Sequence, residues 1–153
     1  MTNLTIVIPA KNESESLPTV LDYFSNKNYK VCVVLEKSDI KTIESIKNKK
    51  CTIVYQTKKG FGNALSEGIN QSDTKYFCIF NADGSMRIEE IDLMLDKISK
   101  SNDDIIFASR YEKDGKSDDD TFVTFMGNKI FTLIGKIFFS LTISDILYTF
   151  VLG

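Results

Sequence analysis

The sequence predicts an α/β fold, a mostly parallel sheet with helices on both faces. Three observations predict it. Short β-branched, apolar runs alternate with helical stripes along the whole chain. The strand-like runs are apolar throughout rather than alternating, as strands covered on both sides require. The helical stripes place apolar residues at i, i+3, i+4 and i+7.

The elements follow in order. Leu4 to Ile8 is a strand that Pro9 stops. Leu17, Val20, Leu21 and Phe24 form the stripe of a first helix. Val31 to Leu35 is a second buried strand. Ser38 or Asp39 caps a second helix with Ile40, Ile43 and Ile46 inward. Cys51 to Tyr55 is a third strand. Gly60 and Gly62 break the chain before a stripe of Phe61, Ala64, Leu65, Gly68 and Ile69. Tyr76 to Phe80 is a fourth strand, and Ile88, Ile91, Met94, Leu95 and Ile98 mark a fourth helix. Ile105 to Ala108 is a fifth strand, and the polar stretch Glu112 to Asp120 is a loop. Ile130 to Phe139 is strongly apolar. It is expected to be a core helix packed on the sheet, with an interfacial helix on a membrane surface as the alternative. With Lys129, Lys136 and Asp145 nearby, it is no clean transmembrane span.

The 153 residues suffice for one domain with a core, and no repeat or interdomain linker divides them. A net charge of -2 leaves no broad basic field, so nucleic acid is not an expected partner. Histidine is absent, which excludes Ser-His-Asp triads, Cys-His pairs and His-containing zinc sites. Catalysis would rest on carboxylates, Lys, Arg, Tyr, backbone dipoles or a hard metal. Cys32, Cys51 and Cys78 each lie at or inside an apolar run and read as buried reduced thiols. No signal-peptide pattern is present. The cytoplasm or its membrane face is the expected compartment.

Open α/β sheets bind ligands outside the carboxyl ends of their strands. Here those ends are polar: Lys11, Asn12 and Glu13 after the first strand, and Glu36 after the second. Asn81 to Gly84 follow the fourth, and Ser109 and Arg110 the fifth. Together they suit a phosphorylated ligand, although every strand must end in something polar.

The segment TIVIPAKNESESL resembles the opening of glycosyltransferase family 2, whose first strand leads into Pro-x-x-Asn-Glu. KKGFGNALSEGI resembles the family's Gly-x-Gly-x-Ala segment. FNADGS stands in the place of its Asp-x-Asp motif, and ASRY in the place of Gly-Ser-Arg-Tyr/Phe. SDILYTF resembles the Ser-Asp-x-x-x-Gly-Phe stretch of polyprenyl-phosphate transferases such as dolichol-phosphate mannosyltransferase. The resemblance covers nearly the whole chain. It implies a Rossmann-like GT-A sandwich and an inverting transfer of sugar from a nucleotide-sugar donor. The implied acceptor is a lipid phosphate, possible at a membrane face through the C-terminal apolar segment, or a sugar.

The resemblance also implies roles. Pro9, Asn12 and Glu13 match the nucleotide-binding opening turn, with a turn and helix cap as the structural alternative. Glu36 stands near the acidic pair that reads base and ribose, where an exposed surface Glu fits equally. Gly60 and Gly62 let backbone approach a ligand or start the third helix tightly. Asp83 matches the metal-linked aspartate of the motif, and Ser85 a polar position beside it; a helix N-terminal Asp is the bland alternative. Asn81 replaces the first aspartate and carries no charge, which lowers the affinity expected for the Mg²⁺ or Mn²⁺ the family implies. Arg110, one of two arginines in a Lys-biased chain, matches an arginine near donor or acceptor phosphate, against a surface ion pair. Asp145 matches the aspartate of the Ser-Asp motif and is read as a base or metal-side group. Glu36, Asp83 and Arg110 are expected around one shared cavity. The family's catalytic domains continue beyond the equivalent of Phe150–Gly153, so the domain is expected to be incomplete at its C-terminus. The alternative function is a donor-binding remnant without useful catalysis. A nucleotidyltransferase is disfavoured, since no Gly-x-Gly-Thr-Arg loop follows the first strand.

Overall fold

The computed structural model describes residues 3–111 and 122–153. The loop expected over Glu112 to Asp120 lies outside the described residues. The chain runs β1 (Leu4–Pro9), α1 (Leu17–Tyr23), β2 (Lys30–Leu35), α2 (Ile40–Ile46), β3 (Thr52–Tyr55), α3 (Phe61–Asn70) and β4 (Tyr76–Ile79). It continues through α4 (Glu89–Lys100), β5 (Ile106–Phe107), α5 (Phe122–Phe139) and β6 (Val151–Leu152). The strands form one sheet in the order β3-β2-β1-β4-β6-β5. β1, β2, β3 and β4 are parallel, whereas β6 runs antiparallel between β4 and β5.

The continuous apolar runs are explained by cover on both faces. On one face, Leu4, Ile6, Ile8, Val31, Val33 and Leu35 pack with Leu17 and Val20 of α1, Ile46 of α2, and Ile91, Met94 and Ile98 of α4. On the other, Val7, Cys32 and Val34 pack against Ala64 of α3. Residues one apart along a strand thus serve opposite layers. α3 lies close to the sheet because position 68 has no side chain. A Cβ there would stand 2.4 Å from Val7 Cγ1 and 2.8 Å from Val34 Cγ2.

Several expectations hold in detail. Asp39 caps α2, its carboxylate accepting the Thr42 amide. Cys32 and Cys78 are buried and Cys51 is half-buried, all three as free thiols. Burial pushes the Cys32 thiol up to about 11, with the nearby Cys51 adding to it, so it stays protonated and inert at neutral pH.

Others are corrected. Ile40 is 59% exposed, not inward. Thr42 takes the buried place on α2, where its hydroxyl accepts the Glu13 amide. β6 carried no periodic signal, being two residues long. Its strand character comes from its neighbours: Leu152 is wholly buried, and Gly153 exchanges two backbone hydrogen bonds with Phe77.

The largest correction concerns α5, which is not a core helix. Among the described side chains of α5 the buried positions are polar or small: Asn128, Thr132 and Gly135. The Leu147 amide donates to Asn128 Oδ1 and the Ile146 amide to Thr132 Oγ1. Its apolar side chains, among them Phe131, Ile137, Phe138 and Phe139, face outward. Among the described residues no helix is long and apolar enough to cross a membrane.

Candidate functional site

The four parallel strands deliver their carboxyl ends to one cavity of about 410 Å³. β1 contributes Pro9, Ala10, Lys11 and Glu13; β2 contributes Glu36; β3 contributes Gln56. Gly60, Phe61 and Ala64 close one side from the start of α3, and Asn81, Ala82 and Asp83 follow β4. Thr149 enters from the segment before β6.

Local chemistry shapes each wall. Pro9 is the last residue of β1 rather than the stop after it, and the Ala10 amide beyond it still donates to Val34 O at 2.9 Å. The chain then turns sharply at Asn12, whose φ of 60° is left-handed. That turn is held by the Asn12 amide donating to Asp39 Oδ2 at 2.7 Å. Burial raises the Asp39 carboxyl, but the Asn12 amide and the hydroxyl and amide of Thr42 outweigh it, and the group lies below its ordinary range. Glu13 accepts the Ser16 hydroxyl while its amide donates to Thr42. Lys11 Nζ meets Glu36 Oε1 at 3.3 Å across the cavity wall. Gln56 Nε2 donates to the carbonyls of Lys58 and Gly60, each at 3.1 Å, and so fixes the glycine loop. Gly60 sits at φ 110°, a conformation that side chains resist, and opens α3 directly at the cavity.

The acidic wall is a hydrogen-bonded turn. Asp83 Oδ1 accepts the Ser85 amide at 2.9 Å. Asn81 Nδ2 donates to Ser85 Oγ at 3.3 Å, and its Oδ1 accepts the Thr149 hydroxyl at 3.2 Å. α4 does not start until Glu89, with Ile88 at its N-cap, so Asp83 is no helix-capping residue. Its carboxylate is exposed at the cavity and keeps one oxygen outside this turn.

Pro9, Glu13, Glu36, Gly60, Asn81 and Asp83 are therefore brought together as the sequence suggested. Asn12, Gly62 and Ser85 do not line the cavity. Arg110 and Asp145 do not line the cavity, which corrects the expectation of a space shared by Glu36, Asp83 and Arg110. The Arg110 fork closes instead on Asp145: Nε reaches Oδ2 at 2.9 Å and Nη2 reaches Oδ1 at 3.1 Å. The Arg110 amide also donates to Oδ2. The Asp145 side chain is 0% exposed, so it is an anchored partner and not an open base. Arg110 Cζ lies 5.2 Å from the Tyr148 ring centre. Burial is the main cause that raises the Tyr148 phenol; Glu90, Asp145 and Asp83 add to it and Arg110 opposes it. The ring thus feels both the ion pair and the cavity carboxylate, and the next residue, Thr149, completes the cavity.

Gln56, Phe61 and Thr149 were not legible in the sequence as site residues, and Lys11 was legible only as one polar strand end. Gln56 was within reach of the strand-end rule, since it directly follows β3. Thr149 was not, because its strand is too short to show in a pattern.

Among the described residues no three His, Cys, Asp or Glu gather as a metal site. On the β4 wall the oxygen donors are one carboxylate, Asp83, and the neutral Asn81 carbonyl. A small hard cation binds through one or two carboxylates plus the phosphates of its substrate. The wall fits an ion shared with a diphosphate and does not fit one held by protein alone.

Comparison with known proteins completes the description. Residues 5–152 match the model for glycosyl transferase family 2. An uncharacterized glycosyltransferase of Mycobacterium tuberculosis is 29% identical over 100 residues, 65% of this chain and 45% of that protein. A dolichol-phosphate mannosyltransferase of Pyrococcus furiosus is 27% identical over 143 residues, 88% of this chain and 40% of that protein. The chain thus spans less than half the length of these relatives. The crystal structure of S. aureus TarS superposes with a TM-score of 0.51 at 15% identity, covering 69% of this chain and 34% of that one. That last likeness is one of fold.

Proposed function

Because the chain belongs to glycosyl transferase family 2, we propose that its strand-end cavity binds a nucleoside-diphosphate sugar and that the sugar passes, with inversion, to a polyprenyl phosphate. The observation that carries this reading is the gathering of Glu36, Asn81 and Asp83 on one cavity at the ends of two parallel strands, β2 and β4. The transfer is a single displacement. An acceptor oxygen forms a bond to the anomeric carbon as the bond to the diphosphate oxygen breaks, and the electron pair leaves with the nucleoside diphosphate. Glu36 suits the nucleoside end, and Asp83 the diphosphate end. A divalent ion bound there would neutralise charge on the departing diphosphate. A phosphate acceptor is already anionic and requires no strong base. That suits a chain without histidine whose Asp145 is locked to Arg110. The Pyrococcus relative, named for transfer to dolichol phosphate, supports the same acceptor class.

Binding experiments test the donor site. UDP or GDP at about 100 times its dissociation constant is expected to stabilise the protein by roughly 2.7 kcal/mol, an upward melting shift of several degrees. Manganese should add to that shift with nucleotide present and do little alone. Donor turnover in the same assay separates an enzyme from a binding remnant. No shift with any nucleotide would overturn the reading.

The acceptor side is proposed to rest on a lipid surface through α5. Its outward face carries Phe131, Ile137, Phe138 and Phe139, and its only charges are Lys129 and Lys136. An 18-residue helix with outward apolar rings and two lysines fits the headgroup boundary. Sedimentation with phosphatidylglycerol vesicles is expected to carry the protein down, and Ile137→Ser with Phe138→Ser to release it. If those changes alter self-association and leave vesicle binding intact, the face is a protein interface and the proposal fails.

A further inference from the structure

Lys11 stands at the middle of the cavity edge. β1 lies between β2 and β4 in the sheet. Pro9 is the register partner of Val34 on β2, and Val7 that of Ile79 on β4. Carried past the strand ends, these offsets bring Lys11 level with Glu36 on one side and with Asp83 on the other. Neighbouring strands lie about 4.8 Å apart, a gap that the four-carbon stem of a lysine can cross in either direction.

The cavity holds little positive charge. Glu13, Glu36 and Asp83 line it, and among the described residues Lys11 is the only cation that does. Asn81 adds a neutral amide, so the β4 wall offers a shared metal ion a single carboxylate. A diphosphate entering here meets repulsion from every charged side chain of the lining except Lys11. That ammonium is loosely held. Its Nζ lies 3.3 Å from Glu36 Oε1, the longest ion pair among the described residues, whereas Lys30 and Asp73 close to 2.6 Å. The Lys11 side chain is 72% exposed, so its resting pair contributes little stability and breaks easily.

Resting on the donor-site reading above, we infer that Lys11 is a mobile phosphate clamp, which leaves Glu36 when a nucleoside diphosphate binds and donates hydrogen bonds to the diphosphate oxygens between β1 and β4. The ammonium has three donors and no acceptor, so it remains protonated and no proton moves. When the bond from the anomeric carbon to the diphosphate oxygen breaks, that oxygen gains negative charge, and the same ammonium stabilises it. Lys11 thereby supplies charge that a wall with a single carboxylate recruits only weakly as metal. Binding of the diphosphate therefore does not depend on the ion alone.

The experiment measures dissociation constants of UDP and GDP, and of uridine and guanosine, with the whole chain in EDTA and again with manganese. Ligand-observed NMR reads the weaker nucleosides. In EDTA, Lys11→Met is expected to weaken the two diphosphates by at least about 10-fold, the scale of a hydrogen bond to a charged group. It should leave the nucleosides unchanged. Lys11→Arg keeps the charge on a long stem and should bind the diphosphates within a few-fold of the parent. Both positions are exposed enough that melting temperatures should match the parent. Unchanged diphosphate binding in Lys11→Met overturns the inference. So does an equal weakening of UDP and uridine, or of GDP and guanosine, which would make Lys11 part of the nucleoside wall. Diphosphate binding that the parent shows only with manganese also overturns it, and leaves the donor site standing with the ion alone as its counter-charge. Failure of UDP and GDP to bind under either condition overturns the donor-site reading, and this inference falls with it.

Discussion

Asp83→Ala is expected to lower manganese-dependent binding and turnover of a nucleotide-sugar donor by about 100-fold or more, the scale seen when one preorganised charge stabiliser is removed. Asp83 is the only carboxylate on the β4 wall of the cavity, and Asn81 beside it brings no charge to share the task. The fold should be indifferent to the change. Asp83 is exposed, and its contact within the protein is the 2.9 Å hydrogen bond from the Ser85 amide. Surface substitutions of this kind typically shift stability by less than about 0.5 kcal/mol. Asp83→Asn sharpens the test. It keeps an oxygen for the Ser85 amide and removes the charge, so it should lose donor binding as Asp83→Ala does while preserving the turn. Isothermal titration with UDP and GDP, with and without manganese, reads the effect. A variant that binds nucleotide and manganese as tightly as the parent would remove Asp83 from the proposed site.

The second large effect is on stability. Arg110→Met is expected to destabilise the protein by about 3–5 kcal/mol, because it strands a carboxylate with no exposed side-chain surface. For a chain of this size each kcal/mol corresponds to a melting shift of roughly 2–4 °C. Asp145→Asn should cost less. The Arg110 side chain is 23% exposed and can recover part of its hydration when its partner is lost. That ordering is the informative part, since a simple loss of one ion pair would make the two variants equal. The pair also ties the end of β5 to the segment that carries Tyr148 and Thr149. Both variants should therefore weaken nucleotide binding through the loss of the Thr149 hydrogen bond to Asn81. Chemical unfolding of the two variants checks the order. A parent-like melting temperature for Arg110→Met would show that the ion pair anchors nothing.

The fold was legible where the chain repeats itself. Val31 to Leu35 could be read as a covered strand because burial on both faces leaves no polar position to interrupt it. The α1, α3 and α4 stripes were legible because one face of each meets the sheet. Legibility failed at α5 for the same physical reason in reverse. Periodicity reports that apolar residues share a helix but not which face the protein covers, and here the covered face holds Asn128, Thr132 and Gly135. Ile40 failed similarly, since Thr42 has a hydrogen bond to make inside and Ile40 has none.

The site divides along the same line. Strand-end polarity and family resemblance pointed to Glu13, Glu36, Asn81 and Asp83, and these line one cavity. The parallel order of β1, β2 and β4 brings residues distant in sequence to a common edge, so position at a strand end was sufficient. Arg110 and Asp145 stand at comparable ends, yet each answers the other's charge instead of the cavity.

By itself, the sequence determined the layered α/β architecture, the family and the edge of the sheet where chemistry is expected. Those follow from local pattern, which survives in one dimension. Only the tertiary structure decided that Lys11 stands against Glu36, that Arg110 is committed to Asp145, that Gln56 and Thr149 complete the cavity, and that α5 turns its apolar face outward. Each of these depends on which side chains meet across separate elements, and a pairing of that kind is set by register and packing rather than by the neighbours along the chain.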